Sequence, residues 1–433
     1  MRHALSGERS ISEAWRGLGA GDGGLARSLH AVRVGNAKSR PELAGMTGLG
    51  RAVVVQRLRD LAALGLVEEG SAGPSTGGRP ARRLRFVAEA GHLLVADLGA
   101  TSIDVALTDL GGAIIGHRAE PSDIAAGPEK SLARVESLFG DLLRVADGPG
   151  PLRGVGLAVP GPVEFLTGRP VSPPIMPGWD GYPIRERFQD LYEAPVWVDN
   201  DVNVMALGEW RFGTAQGHDT VVFLKLGTGI GAGLISDGIL HRGVQGSAGD
   251  VGHIQVSDDT TVTCRCGNTG CLEALAGGAA LARDAAAAAG TGRSPHLART
   301  LEQRGYLTAA DVAEAAAHGE PVSVELLQNS GRMVGAMLAG VVNFFNPSLI
   351  VIGGGVAQAG DLLLAAVRQV VYGRSLPLAT RNLAIRRSAL AGTAGILGAA
   401  TMVTDELFSE ELLPTWRPDE VEGPGDLEAA ASA

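Results

Sequence analysis

The sequence predicts an α/β protein in two parts: a small N-terminal winged helix-turn-helix domain over residues 25–88 and a larger two-lobed body over residues 92–408. Two observations predict this division. A basic helical block is followed by a glycine-rich stretch, and from residue 92 onward one pattern of strands and helices occurs twice. A chain of 433 residues is also long for a single compact domain.

The composition narrows the class of protein. The formal net charge is −10 at pH 7, which argues against a chain that coats nucleic acid along its whole length. An odd number of cysteines, three, favours a reducing compartment. The chain opens without a signal-type apolar segment, and polar residues and a proline interrupt its most apolar region, residues 333–356. We therefore expect a cytoplasmic protein without a membrane span.

The N-terminal part begins with residues 1–24, which are aperiodic and expected to be flexible, and continues as a pair of helices. Ser39 is a favourable N-cap for the first helix, and Gly48 marks the turn after it. The second helix, Leu49 to Leu64, has an apolar stripe made of Val53, Val54, Leu58, Leu61 and Leu64. The pattern predicts a helix-turn-helix whose second helix enters the major groove of DNA. The alternative is a small helical packing domain.

A local surplus of positive charge favours DNA binding. Between residues 27 and 86, eleven basic residues face four acidic ones, which is typical of phosphate binding. The glycine-rich segment 70–80 resembles the wing of a winged helix, and its Arg79 is placed to enter a narrow minor groove. The candidate DNA-binding residues are Arg40, Arg51, Gln56, Arg57, Arg79, Arg82 and Arg83.

The body contains two successive β-β-β-α-β-α units, each with a glycine turn after its first strand. The first unit is predicted from strands at 93–96, 103–107, 113–116, 155–159 and 196–198 and helices at 131–146 and 202–212. The second is predicted from strands at 220–226, 231–235, 238–241 and 349–352 and helices at 279–289, 308–318 and 322–345. This repeat predicts an actin-like (ribonuclease H-like) architecture with lobes at roughly 92–213 and 214–392. A C-terminal helix returns to the first lobe, and residues 409–433 are expected to be disordered.

Three glycine-containing turns are candidates for phosphate binding. Asp97 follows a strand and is suited to hold hydrated Mg²⁺ beside the turn that contains Gly99 and Thr101. The second turn contains Gly227, Thr228, Gly229 and Gly231, and glycines there let backbone amides approach phosphate oxygens. A third turn contains Gly354 and Gly355; its residues are compatible with a tight strand-to-helix turn, and a nucleotide site there is implied only by the family resemblance described below.

Asp201 is the candidate catalytic residue. A carboxylate at a strand end, just before a helix, is suited to accept the proton of a sugar hydroxyl that attacks a γ-phosphate. Asn200 would hydrogen-bond neighbouring hydroxyls. The alternative is that this segment only caps the helix, with Asp201 as the N-cap.

All three cysteines of the chain, Cys264, Cys266 and Cys271, lie close together, and His253 precedes them. Three thiolates and one imidazole complete a tetrahedral, structural Zn²⁺ site. The alternative is three ordinary buried cysteines.

These motifs, in this order, resemble those of the ROK family of sugar kinases and sugar-responsive repressors over roughly residues 92–403. The resemblance implies that the sugar contacts are Asn200, Asp201, Asp250, His253 and Glu273. It also suggests contributions from Gly168 and Arg169. Mg²⁺ and ATP are implied as cofactors only for an active kinase.

Two positions depart from the pattern of the family's kinases. Asp250 stands where they usually have the longer Glu, and Lys225 stands where a small hydroxyl residue is common. Both changes argue against efficient phosphoryl transfer. We therefore expect a sugar-responsive regulator, a repressor that binds operator DNA as a homodimer or higher homo-oligomer, without a membrane partner. The alternative is an ATP-dependent, glucokinase-like sugar kinase, alone or combined with DNA binding in a bifunctional protein.

Overall fold

The computed structural model describes residues 24–72, 82–145 and 150–418. The N-terminal part consists of three helices and an antiparallel hairpin: α1 (Gly24–Arg33), α2 (Arg40–Thr47), α3 (Arg51–Ala63), β1 (Val67–Ala72) and β2 (Arg82–Phe86). This order is that of a winged helix, as predicted. The tip of the wing, with Arg79, lies outside the described residues, and so do residues 1–23 of the segment expected to be flexible. Gly24, the last residue of that segment, begins α1 and is buried.

Local sequence determines where these helices begin and end. The Ser39 hydroxyl accepts a hydrogen bond from the Glu42 N–H at the start of α2, and Gly48 ends α2 with a φ of 70°, in the left-handed region that favours glycine. Helix α3 buries Val54, Leu58 and Leu61. The predicted apolar stripe is wrong at Val53, which is 42% exposed because it lies on the outer face of α3.

The first lobe of the body has one five-stranded sheet in the order β5-β4-β3-β6-β9. Strands β3, β4 and β5 are antiparallel neighbours, and β6 and β9 continue the sheet in parallel to β3. The elements of this lobe are β3 (His92–Leu98), β4 (Ser102–Asp109), β5 (Ile114–Pro121), α4 (Pro128–Val145), β6 (Leu152–Val159), the short hairpin β7 (Val163–Glu164) and β8 (Arg169–Pro170), α5 (Ile184–Tyr192), β9 (Val196–Asn200) and α6 (Asp201–Phe212).

The second lobe repeats this topology with the order β12-β11-β10-β13-β14. Strand β10 pairs with β11 in antiparallel and with β13 in parallel, as β3 does with β4 and β6. Its elements are β10 (Val221–Leu226), β11 (Ile230–Ser236), β12 (Ile239–Leu240), α7 (Leu272–Ala276), α8 (Gly278–Gly290), α9 (Pro295–Arg304), α10 (Ala309–Ala317), α11 (Pro321–Phe345), β13 (Leu349–Gly353), α12 (Asp361–Arg374), α13 (Pro377–Thr380), β14 (Ala384–Arg387) and α14 (Ala394–Leu407). The repeated sheet topology confirms the predicted actin-like fold class.

Helices α6 and α14 pack against each other between the two sheets. Glycines allow this close approach, because a Cβ atom at Gly398 would lie 1.7 Å from the Val204 carbonyl oxygen and one at Gly208 would lie 2.2 Å from the Ala394 carbonyl oxygen. Val403 of α14 reaches the first sheet, where a Cβ at Gly154 or Gly156 would lie 2.8 Å from one of its methyl groups. Helix α14 therefore completes the core of the first lobe.

Residues 409–418 form an ordered C-terminal segment. Leu413 and Trp416 are buried, and the Trp416 ring packs against Phe408 with 5.5 Å between the ring centroids. The Trp416 Nε1–H donates to the Leu64 carbonyl oxygen, 3.1 Å away, at the end of α3. The expected disorder from residue 409 is therefore wrong for residues 409–418, because two apolar side chains anchor this otherwise polar stretch. Residues 419–433 lie outside the described part of the chain.

The winged helix is fixed to the body by a polar and an aromatic contact. The Arg33 guanidinium forms an ion pair with Asp405 of α14, and Arg211 of α6 donates to the same carboxylate oxygen at 3.2 Å. Phe86 packs edge-on against Phe408 with 5.8 Å between centroids. Buried residues of the winged helix and of part of the body belong to one continuous apolar cluster. No helix among the described residues is long and apolar enough to cross a membrane.

Candidate functional site

A cleft of about 960 Å³ lies between the two lobes. It is lined by residues of all three glycine turns and of the cysteine segment. It brings together all five residues predicted to contact sugar: Asn200, Asp201, Asp250, His253 and Glu273. Of the predicted phosphate-binding residues, the cleft is lined by Gly99, Thr101, Gly227, Thr228, Gly229, Gly231 and Gly355. Asp97 and Gly354 do not line it.

Asn200 and Asp201 lie where β9 ends and α6 begins. The Asn200 side-chain oxygen accepts a hydrogen bond from the Val202 N–H at 2.9 Å, and its Nδ2 donates to the Gly161 carbonyl oxygen at 2.9 Å. Asn200 is thus the N-cap of α6, and Asp201 is the first residue of the helix. The alternative that assigned the cap to Asp201 is wrong, and Asp201 is left available for another partner.

That partner is Lys225. Its ammonium group forms an ion pair with Asp201, whose side chain is only 4% exposed. Burial lowers the pKa of Lys225, but the carboxylates of Asp201 and Asp97 outweigh burial and raise it. The lysine is therefore charged and neutralises the residue predicted to be the base.

Asp97 lies partly buried beside this ion pair. Burial raises the pKa of Asp97 to about 7, and the nearby positive charge of Lys225 opposes that rise. Its Oδ1 has no hydrogen-bond partner among the residues that the structure describes. A Cβ at Gly395 would lie 1.8 Å from the other carboxylate oxygen, so only glycine fits at the start of α14.

A second ion pair, between Asp199 and Arg242, connects the two lobes next to Asn200. Asp199, which is 1% exposed, accepts from Arg242 Nε at 2.7 Å and from Asn203 Nδ2 at 3.0 Å. The Arg242 guanidinium also lies over the Phe165 ring, 3.7 Å from its centroid. Sequence reasoning missed this pair, since Arg242 lies in a loop without a motif.

The Glu273 side chain packs against the second glycine turn. Its Oε2 accepts a hydrogen bond from the Ile230 N–H at 3.0 Å. A Cβ at Gly229 would lie 2.2 Å from the same oxygen, so the glycine is required for this contact. The residue predicted to contact sugar therefore also shapes the turn predicted to bind phosphate.

The third glycine turn and the β7–β8 hairpin contribute fewer residues to the cleft than the sequence predicts. A Cβ at Gly354 would lie 2.4 Å from the Leu226 carbonyl oxygen, and its φ is 89°, so this glycine serves the tight strand-to-helix turn. Gly355 faces open space in the cleft. Gly168 and Arg169 do not line the cleft, and Arg169 is ion-paired with Glu186 instead.

The four predicted metal ligands form a cluster. The ligand atoms of His253, Cys264, Cys266 and Cys271 all lie within 4.8 Å of one another, so together they could hold a metal ion. The Cys264 sulfur lies 3.6 Å from His253 Nδ1, and the Cys266 and Cys271 sulfurs lie 3.7 Å apart. On its other side, His253 Nε2 lies 3.8 Å from the Asp250 carboxylate.

The loop that carries these ligands depends on a glycine. A Cβ at Gly270 would lie 2.0 Å from the Ser257 carbonyl oxygen, and the φ of Gly270 is 73°. His253 and Cys266 line the cleft, as does Asn268 between the cysteines, which sequence reasoning did not single out. The four candidate metal ligands therefore lie along one wall of the cleft.

The winged helix presents a partly basic surface. Arg51, Gln56, Arg82 and Arg83 are exposed. Arg40 is held by Glu69 at 2.5 and 2.8 Å. Arg57 is only partly exposed, pairs with Asp60 at 3.4 Å and is less available than predicted. Arg59, which was not among the candidates, is exposed on α3.

Comparison with known proteins agrees with this two-lobed fold and its cleft. A family model for the ROK family matches residues 93–406. The glucokinase of Halalkalibacterium halodurans is 32% identical over 316 residues, which cover 73% of this chain and 96% of the relative. The xylose repressor of Caldicellulosiruptor bescii is 31% identical over 372 residues, which cover 86% of this chain and 92% of the relative. The chain belongs to the ROK family.

Solved structures show the same two kinds of relative. A ROK family transcriptional regulator, described as a homolog of the E. coli MLC protein, matches with a TM-score of 0.74 at 28% identity. The match covers 90% of this chain and 98% of the regulator's chain. A ROK family glucokinase from Streptomyces griseus, in complex with glucose and AMPPNP, matches with a TM-score of 0.64 at 31% identity. The match covers 72% of this chain and 99% of the glucokinase chain.

Proposed function

We propose that this protein is a sugar-responsive transcriptional repressor, in which the winged helix binds operator DNA and the body binds a sugar or sugar phosphate. The observation that carries the proposal is the buried attachment of the winged helix to the body through Arg33, Phe86 and Trp416. A sugar kinase has no physical need of that domain. The alignment with the C. bescii xylose repressor is also longer than that with the H. halodurans glucokinase, 372 against 316 residues.

In this proposal the exposed arginines of α3 and β2 contact operator phosphates and base edges. Arg51 and Gln56 lie on the helix that would enter the major groove. Arg82 and Arg83 begin the strand after the wing and would contact the flanking phosphates together with Arg79. Arg40 and Arg57 would have to leave their acidic partners to take part.

The sugar would bind in the cleft between the lobes. Carboxylates and amides recognise several hydroxyls at once, and the cleft offers Asn200, Asp201, Asp250, His253 and Glu273 from both lobes. A ligand held from both sides changes the angle between the lobes, which in turn moves the attached winged helices.

The metal in the proposal is a structural Zn²⁺. Three cysteine sulfurs and one imidazole match the ligands of closed tetrahedral zinc sites. The ion would fasten the segment with His253 and Asp250 to the segment that leads into Glu273. It would thereby fix one wall of the sugar cleft.

A second candidate function is an ATP-dependent sugar kinase, alone or in a bifunctional protein. The kinase function is favoured by the arrangement of Asp201 and the first two glycine turns around one cleft. Asp201 would then accept the proton of the attacking sugar hydroxyl. The Lys225–Asp201 ion pair argues against it, because a carboxylate neutralised by an ammonium group is a weaker base.

We also propose that the protein acts as a homodimer or higher homo-oligomer. One helix-turn-helix contributes limited affinity, and two copies related by a two-fold axis read two half-sites.

The full-length protein should select an operator sequence from a random DNA pool, and the selected duplex is then titrated by fluorescence anisotropy. A panel of monosaccharides, amino sugars and their phosphates is added in turn. One sugar should change operator affinity by roughly 5- to 150-fold, the usual range of coupling between two sites. Arg51→Ala should weaken binding, whereas Arg299→Ala, at an exposed arginine of α9, should not. Failure to select any sequence, together with ATP-dependent turnover of a sugar, would replace this proposal by the kinase.

A further inference from the structure

Lys225 is directed into the cleft by its place in strand β10. Residues alternate between the two faces of a strand, and Val221 and Phe223 belong to the cluster that contains α6, whereas Val222, Leu224 and Leu226 belong to the cluster of the second lobe. Lys225 therefore lies on the face of Val221 and Phe223, toward the helix that begins with Asp201. The side chain crosses from the second lobe to the first.

At that place two carboxylates and one ammonium group come together. Lys225 is ion-paired with Asp201, and Asp97 is near enough to be affected by the charges of both residues. One Asp97 oxygen is buried without a hydrogen-bond partner among the described residues. In a phosphotransferase of this fold, carboxylates at these positions bind hydrated Mg²⁺ and activate the sugar hydroxyl. The Mg²⁺-nucleotide implied by the family therefore does not fit these residues, because the Lys225 ammonium group already neutralises Asp201.

We infer that Lys225 is a specificity-determining residue that replaces the divalent cation, so that the cleft binds its sugar without a Mg²⁺-nucleotide. The ammonium group neutralises Asp201 and repels a second cation at short range. The glycine turns keep their shape for a separate reason, since Glu273 and the Leu226 carbonyl oxygen pack directly against them. This inference deepens the proposed function and rests on its sugar cleft.

A different role for Lys225 would be to bind a nucleotide phosphate as a point charge. In that role the ammonium group would have to turn its charge toward the ligand, whereas in the structure it is ion-paired with Asp201. The two roles predict opposite effects of removing the lysine. Loss of the ammonium group should create nucleotide binding under the inference and abolish it under the alternative.

The test is isothermal titration of ADP into the full-length protein with and without Mg²⁺. The wild type should show no Mg²⁺-dependent ADP binding. Lys225→Ser, which removes the ammonium group from beside Asp201, should bind Mg²⁺-ADP at least tenfold more tightly than the wild type, a change of about 1.4 kcal/mol. Lys225→Arg keeps the charge and should resemble the wild type, and so should Lys130→Ser, at an exposed lysine of α4.

Micromolar Mg²⁺-ADP binding by the wild type would overturn the inference, and so would weaker nucleotide binding by Lys225→Ser. Zinc content and thermal unfolding report whether each variant is folded. If Lys225→Ser does not fold, Lys225→Gln and the wild-type titration still decide the question. Sugar and operator titrations of the wild type are independent of ADP, so failure of the proposed repressor function is seen separately from failure of this inference.

Discussion

Arg33, the last residue of α1, is ion-paired with Asp405 of α14, and the same carboxylate oxygen also accepts from Arg211 of α6. Helix α6 begins at Asp201 in the cleft and is twelve residues long, which corresponds to about 18 Å. One carboxylate therefore connects the winged helix to the far end of the helix that begins in the candidate sugar site.

Asp405→Asn should destabilise the protein and weaken the coupling between sugar and operator. The substitution leaves Arg33 and Arg211 close together without their shared negative charge, which should cost about 1–3 kcal/mol of the free energy of unfolding. Urea denaturation measures the stability, and operator isotherms with and without sugar measure the coupling. Asp284→Asn, which removes a surface pair with Arg283, is the control and should change neither quantity. Unchanged coupling in Asp405→Asn would show that the ion pair only holds the domains together.

Asp97→Asn should stabilise the protein at pH 8 and not at pH 4. The pKa of Asp97 is raised to about 7 in the folded state from 3.8, so the folded state keeps a proton that the unfolded state releases. Wild-type stability therefore falls as the pH rises from about 4 to about 7, and the loss is complete above that range. Because Asn resembles the protonated acid, the gain at pH 8 should be on the order of 1–3 kcal/mol. Denaturation midpoints across this pH range test it, and a less stable variant at pH 8 would mean that an ionised Asp97 contributes favourably through Lys225.

Cys266→Ser should lose both the metal and sugar affinity. The purified wild type should contain about one zinc ion per chain, and three remaining ligands leave the site open. Without the ion, the segments that carry His253 and Glu273 separate and the cleft loses a wall. Elemental analysis and sugar titration measure the two effects. Thr261→Ser, at an exposed position of the same loop, serves as the control. A wild type purified without chelators and free of zinc would contradict the assignment.

Substitutions in the winged helix should separate two kinds of DNA contact. Arg83→Ala should weaken binding to all sequences and reduce its salt dependence, since a phosphate contact is lost. Gln56→Ala should alter the preferred base pairs, because Gln56 lies on the helix expected in the major groove. Arg79→Ala should matter most where the minor groove is narrow. Binding selections at two salt concentrations distinguish these outcomes, and equal effects of Arg83→Ala and Gln56→Ala on sequence preference would contradict the proposed docking.

The parts of the fold that depend on local pattern could be predicted from sequence. The cysteine spacing indicated the cluster with His253, and short apolar runs indicated the strands of both sheets except β14. Helix α9 was not predicted, although its Ser294 cap is a recognisable signal in hindsight. Helices α5 and α12 were not predicted either.

Contacts between distant residues could not be predicted in the same way. Arg242 and Asp199 are separated by 43 positions, and Arg33 and Asp405 by 372. The position of each partner depends on how the sheets and α14 come together, which no local pattern records. Lys225 was noticed as a departure from the family, but its pairing with Asp201 required the structure.

Helix α14 completes the first lobe although its residues lie near the end of the described chain. Val403 contacts the sheet at Gly154 and Gly156, which leave the ribosome some 250 residues earlier, about 12 to 50 s at usual rates of synthesis. During that interval the apolar face of the first sheet lacks its permanent cover. The nascent chain is therefore open to aggregation until α14 has been made, and we expect its yield to depend on chaperones that bind exposed apolar strands.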